Sequence, residues 1–265
     1  MTGTGRGTGT GRGTESTLRV GLVYPELLGT YGDRGNALVL VERARWRGFD
    51  AELVEVAAGD PIPDSLDVYL FGGGEDDPQT MAASGMRASA NAVRRAIDGG
   101  AVVLAVCAGF QLIGTGYVDA GGEVIEGIGL VDARTVAGAP RLIGEVIVEP
   151  EPSTGLPTIT GFENHGGRTK LGPGVRPLGR VTRGGGNGIG AVDGALAPNI
   201  VATYLHGPVL PRNPALADLL LTWVTGGPLE PLPSVLEEAL RAERLAEARL
   251  TGWRARARDL RLERG

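Results

Sequence analysis

The stretch AVVLAVCAGFQLIG (101–114) opens on an unbroken apolar run and then changes character at a single residue. A run without polar alternation, rich in Val and Leu, reads as a strand buried on both faces, the kind found in parallel sheets covered by helices. Ala108-Gly109-Phe110-Gln111 then reads as the start of a helix. Cys107 thus ends a strand at a sharp strand-to-helix turn. Such an elbow projects its side chain from the carboxyl edge of the sheet, and the helix amino terminus favours a thiolate there. Gly109 permits the close packing the elbow requires. A free cysteine taken alone more often behaves as a small buried hydrophobe, so the surrounding sequence has to decide its role.

Outward from this point the chain alternates. LRVGLVY (18–24), AELVEV (51–56) and SLDVYLFGGG (65–74) read as strands, NALVLVERARWRG (36–48) as a helix ended by Gly48, and a further helix is expected around 84–98, stopped by Gly99-Gly100. Strands alternating with helices predict an α/β fold, an open and mostly parallel sheet with helices on both faces. The second half differs: GIGLVDAR, RLIGEVIVEP, PTITGFENH, RPLGRVTRG and NIVATYLHG are strand-like pieces punctuated by Gly and Pro, followed by a helix at ALADLLLTWVTG (215–226). They predict a β-rich extension of the same domain. Three segments follow: a disordered low-complexity tail over 1–17 (MTGTGRGTGTGRGTEST), a domain over 18–228, and an amphipathic helical extension over 229–265. In the extension Val235, Ala239, Ala242, Ala246, Leu250 and Trp253 recur at helical spacing after a Ser234 cap, and an Arg-rich end follows. That helix is expected to pack on its own domain, with docking on a partner as the alternative.

Composition excludes several classes. Among 265 residues there are one cysteine and two histidines, so neither an internal disulfide framework nor a Cys/His zinc cluster can form within the chain. A net charge of −5 gives no overall basic character to suggest nucleic acid, and no apolar run approaches a transmembrane span. A soluble cytoplasmic protein is expected. The 45 glycines exceed what the tail can explain and imply tight turns and close backbone approaches.

A thiol acting on a carbonyl needs amide donors for the oxyanion and a base. FGGGEDD (71–77) supplies a strand end opening into three glycines, so the expected donors are the Ala108 amide and one from Gly73 or Gly74. Either His206, at the end of NIVATYLHG, or His165, in GFENHGGRT, could serve as the base on the residues alone.

These blocks resemble a known family. AVCAGFQ resembles the G-x-C-x-G-x-Q elbow of class I glutamine amidotransferases, with Ala105 at the first glycine. YGDRGN (31–36), FGGGEDDPQ (71–79), GFENHGGRT (161–169) and TYLHGPVLPRNPALADLLL (203–221) are similar to the CobB/CobQ-like branch, and within it to the GatD-type glutaminases of lipid II isoglutaminyl synthase. The resemblance spans about residues 18–228 and implies a flavodoxin-like fold. It implies Cys107 as nucleophile and His206 as base, with Arg141, Gln111 and Gln79 binding the substrate L-glutamine, and no metal. It implies no cofactor in this chain, with ATP and magnesium on a MurT-like Mur ligase that forms a heterodimer with it and amidates the D-glutamate of the lipid II stem peptide.

One departure stands out. Most class I glutaminases carry His-x-Glu, whereas His206 is followed by Gly207-Pro208, which leaves the third triad member open between Glu163 and a carboxylate of the partner; the partner is the expectation. Two other functions stay in view. One is the glutaminase of a cobyrinate or cobyric acid amidotransferase, which normally carries a nucleotide-binding domain ahead of the glutaminase, whereas only the short tail precedes it here. The other is a glutaminase-like binding subunit without turnover.

Overall fold

In the computed structural model, residues 16–29 and 32–246 are described. The first half builds β1 (Leu18–Val23), α1 (Arg34–Arg45), β2 (Ala51–Val56), β3 (Val68–Phe71), α2 (Asp76–Asp98), β4 (Val102–Val106) and α3 (Ala108–Ile113). The second half adds β5 (Gly116–Val118), β6 (Val124–Glu126), β7 (Ala133–Pro150), β8 (Ile159–Leu171), β9 (Gly179–Arg183), β10 (Val192–Asp193), β11 (Ala195–Ala197), β12 (Ile200–Thr203), α4 (Val209–Arg212) and α5 (Pro214–Thr225).

Two sheets result. The first runs β11-β12-β4-β3-β1-β2, parallel throughout except for the β11–β12 pair. All five residues of β4 are buried, so both faces of the central strand are covered, as the apolar run predicts. The expected β-rich extension divides: β11 and β12 widen the first sheet, while β10-β9-β7-β5-β6, with β8 paired to β7, make a second one. Helix α2 begins at Asp76, a full two turns before the expected start. Pro78 lies in its first turn, where its missing N–H would have no intrahelical partner, so the helix accommodates it.

Between α1 and α5, the buried Arg43 guanidinium is bidentate to Asp218 at 2.8 and 2.7 Å, and Arg47 reaches the same carboxylate at 2.9 Å. Burial opposes the Asp218 charge, but the hydrogen bonds from both arginines outweigh it and hold its pKa below the usual carboxylate range.

The tail over 1–17 lies outside the described residues apart from its last two, as does the Arg-rich end beyond 246. Residues 235–246 are helical, in keeping with the predicted start after Ser234. The face expected to pack inward does not: Val235, Ala239, Ala242 and Ala246 are exposed. One contact to the body is polar, Arg241 Nε donating to Thr158 O at 3.0 Å. No helix among the described residues is long and apolar enough to cross a membrane.

Candidate active site

Three neighbouring strands of the first sheet, β3, β4 and β12, end at one carboxyl edge. β4 lies in the middle, so whatever follows each strand converges there: Gly72–Gly74 after β3, Cys107 after β4, and His206 just beyond β12. Cys107 has φ 52° and ψ −105°, a conformation that costs a non-glycine residue on the order of 1–3 kcal/mol. Its N–H donates to Thr203 O at 2.9 Å, and its carbonyl accepts from Gln111 N at 3.0 Å, which starts α3. Gly109 N donates to Gly72 O at 3.0 Å, joining the elbow to the glycine turn. A Cβ on Gly109 would lie 2.3 Å from Phe71 O, so only glycine allows this approach.

His206 is held by its backbone in a two-residue bridge with Phe162 of β8: His206 N donates to Phe162 O at 2.7 Å, and Phe162 N to His206 O at 3.2 Å. The β7–β8 ribbon also brings Arg141 to the cleft, where its charge is felt by both Cys107 and His206. Arg141 is aimed by Asn164, Nε to Oδ1 at 2.7 Å and Nη2 to the carbonyl at 3.0 Å.

The electrostatics describe a neutral pair. Burial pushes the Cys107 thiol up to about 12, and the negative charge of Asp33 adds to this against the Ala108 amide and Arg141. Burial likewise pulls His206 down to about 4, helped by His165 and Arg141. Both shifts favour thiol and uncharged imidazole over thiolate and imidazolium. Such a site can perform nucleophilic attack on a carbonyl once something stabilises the imidazolium.

Residues 19–214 match the CobB/CobQ-like glutamine amidotransferase domain family. The chain belongs to that family. Its relatives include the GatD subunit of lipid II isoglutaminyl synthase (glutamine-hydrolyzing) from Staphylococcus aureus, 37% identical over 73% of this chain and 79% of that protein. The GatD subunit from Streptococcus pneumoniae is 38% identical over 77% of this chain and 79% of its own length. Cobyric acid synthase from Pelotomaculum thermopropionicum is 32% identical over 64% of this chain but 34% of its own length. A solved glutamine amidotransferase shares the fold with a TM-score of 0.52 at 21% identity, covering 78% of this chain and 99% of the other.

Within this amidotransferase the expected residues divide by position. Cys107, Ala108, Arg141, His206 and the Gly72–Gly74 turn gather at the sheet edge. Gln111 and Gln79, expected on the substrate, are buried beneath the elbow and bonded to each other, Gln79 Nε2 to Gln111 Oε1 at 2.7 Å. Gln111 Nε2 donates onward to the Tyr204 hydroxyl at 3.3 Å, which lies 2.6 Å from Thr169 Oγ1, itself 2.7 Å from Thr135 Oγ1. In this structure these carboxamides link α2 and α3 to Tyr204, just past β12, and through it to the ribbon.

His165 stacks on Tyr204, ring centroids 3.8 Å apart, with Nε2 3.6 Å from Glu163. Glu163 itself accepts the amides of Gly185 and Gly186 at 2.8 and 3.0 Å, so its carboxylate is occupied in closing a loop. Of the two amides expected from the glycine turn, that of Gly73 donates to Asp33 Oδ2 at 2.8 Å. Sequence reasoning assigned Asp33, Asn36 and Tyr204 no role. The polar residues inside YGDRGN were the signal for the first two; nothing local marks Tyr204.

Proposed function

We propose that this chain is the glutaminase subunit of a lipid II isoglutaminyl synthase, working in the cytoplasm as a heterodimer with a MurT-like Mur ligase. What supports this reading most is the match to GatD proteins over about four fifths of their length, against a third of a cobyric acid synthase. Cys107 attacks the side-chain carboxamide of L-glutamine. The oxyanion accepts hydrogen bonds from the Ala108 amide and an amide of the glycine turn. His206 takes the thiol proton and passes it to the leaving nitrogen, so ammonia departs and a glutamyl thioester remains. Water deprotonated by His206 then cleaves the thioester to glutamate. Arg141 faces the substrate's carboxylate. The ligase, with its ATP and magnesium, activates D-glutamate in the lipid II stem peptide for ammonia to convert to D-isoglutamine, a step of peptidoglycan synthesis.

Because the Glu163 carboxylate is engaged by the Gly185 and Gly186 amides, a partner-borne acid is the expected third triad member. A carboxylate beside the imidazole raises its pKa and stabilises the imidazolium formed on attack. Glutamate release is therefore expected to be much faster in the complex than from the isolated chain, and to vanish in Cys107→Ser. Turnover in purified Cys107→Ser overturns the assignment of Cys107, and equal rates with and without the ligase overturn the partner's part. Amidation of a cobyrinate by the complex would favour the cobalamin-type reading. Failure of Cys107 to form an adduct with a glutamine-analogue electrophile would favour a binding subunit.

A further inference from the structure

The Gly73 contact is unusual in what it omits. Asp33 stands at the amino terminus of α1, where an aspartate ordinarily caps its own helix, yet its side chain makes no cap bond. Instead the carboxylate, 2% exposed, reaches across to the turn after β3: Oδ2 accepts from Gly73 N at 2.8 Å, and Oδ1 from Asn36 Nδ2 at 3.2 Å. Asn36 continues the relay, its Oδ1 accepting from Leu210 N at 2.9 Å in the segment that follows His206. Gly35 lies against Pro208, where a Cβ would come within 2.6 Å of the ring. One short motif thus touches the loops on both sides of Cys107.

Burying a carboxylate here is unfavourable, and burial pushes Asp33 up to about 6 despite its two hydrogen bonds. Its field also raises the Cys107 thiol. Electrostatics alone therefore argues against an anion at this position; geometry argues for it. With Gly73 N committed to Asp33, the next amide, that of Gly74, makes no hydrogen bond to any described residue. Resting on the glutaminase reading above, we propose that Asp33 is a positioning residue: it clamps the Gly73 peptide so that the Gly74 amide is the turn's donor to the oxyanion, paired with Ala108. Asn36 braces that carboxylate against the His206 loop.

The test uses the complex with its ligase partner and reads three quantities: kcat, KM for glutamine, and the rate at which iodoacetamide alkylates Cys107, followed by mass spectrometry. Alkylation is a displacement at carbon in which the sulfur bonds to the methylene and iodide leaves, so no oxyanion forms and no amide donor is required. Loss of a donor's alignment predicts a fall of about 100-fold in kcat for Asp33→Ala, with KM changed less than about threefold and alkylation undiminished. Asp33→Asn keeps an acceptor for Gly73 and is expected within about tenfold of wild type. Wild-type kcat in folded Asp33→Ala overturns the proposal, as does alkylation that falls in step with kcat. If Asp33→Ala does not fold, Asn36→Ser carries the test, with an expected loss of about tenfold in kcat and unchanged alkylation; unchanged kcat there overturns it too. A wild-type complex that alkylates but never hydrolyses glutamine overturns the glutaminase reading itself, whereas the variant results strike only the role of Asp33.

Discussion

Gly109→Ala adds one methyl group at the point where elbow and glycine turn meet. The new Cβ would lie 2.3 Å from Phe71 O and 2.7 Å from both the Phe71 carbonyl carbon and its Cβ. Two of these atoms are backbone of β3, in the middle of the buried sheet, so they cannot swing aside as a side-chain tip would. Ordinary van der Waals contact begins near 3.4 Å, so the start of α3 has to retreat by roughly 1 Å. That movement lengthens the Gly109 N to Gly72 O bond of 3.0 Å past a useful distance and carries the Ala108 amide with it. A misplacement of about 1 Å in a site that must hold a developing oxyanion costs on the order of 100-fold in rate, and overpacking of this kind costs about 1–3 kcal/mol of stability. Glutamate release by the complex, measured as kcat beside a thermal unfolding curve, separates the two. The expected result is a folded variant, melting several degrees lower, with kcat down about 100-fold and glutamine still able to bind. A variant with wild-type kcat would show that the elbow does not depend on the close approach to Phe71, and the geometric argument would fail.

Two further outcomes follow from side chains away from the thiol. Glu163→Gln keeps an acceptor for only one of the Gly185 and Gly186 amides and removes the charge; if the partner supplies the triad acid, kcat in the complex still stays within about tenfold of wild type. A loss of 1000-fold or more would instead make Glu163 the orienting acid. Asp218→Ala leaves Arg43 and Arg47 facing each other between α1 and α5 and is expected to cost roughly 2–4 kcal/mol, below the full range for a buried pair because Asp218 keeps 29% of its side chain in water. Since folding lowers the Asp218 pKa, its contribution is present above the unfolded value near 4 and is lost as pH falls through the folded one. Chemical denaturation at pH 7 and pH 3 should therefore show the difference between wild type and variant shrinking at the lower pH. A gap that stays constant would refute the electrostatic account.

The sequence by itself determined most of the kinds of element and marked Cys107 as the candidate nucleophile. VVLAV is apolar at every position and rich in β-branched valine, as suits a strand covered on both faces, and the switch from that run to Ala-Gly-Phe-Gln at Cys107 is a local event legible from neighbours in the chain. His206 could be placed at a strand end for the same reason, although choosing it over His165 needed the family resemblance. Local pattern misled in two places: it started α2 near residue 84 although the helix begins at Asp76 with Pro78 in its first turn, and the helical spacing of Val235, Ala239 and Ala242 does not reveal that this face is left in solvent.

Tertiary structure alone decided which strand ends meet. Cys107, His206 and the glycine turn form one site because β4 lies between β3 and β12, an order set by crossovers and not by adjacency in sequence. The same pairing turned Gln79 and Gln111 toward each other, brought Arg141 back to the cleft on the β7–β8 ribbon, and set Asp33 on an amide that the sequence had left for the substrate. Periodicity reports how a residue relates to its own element. A hydrogen bond to Asp33 from the Gly73 amide, forty positions along the chain, depends on β1 and β3 lying side by side, and only the packed sheet contains that information.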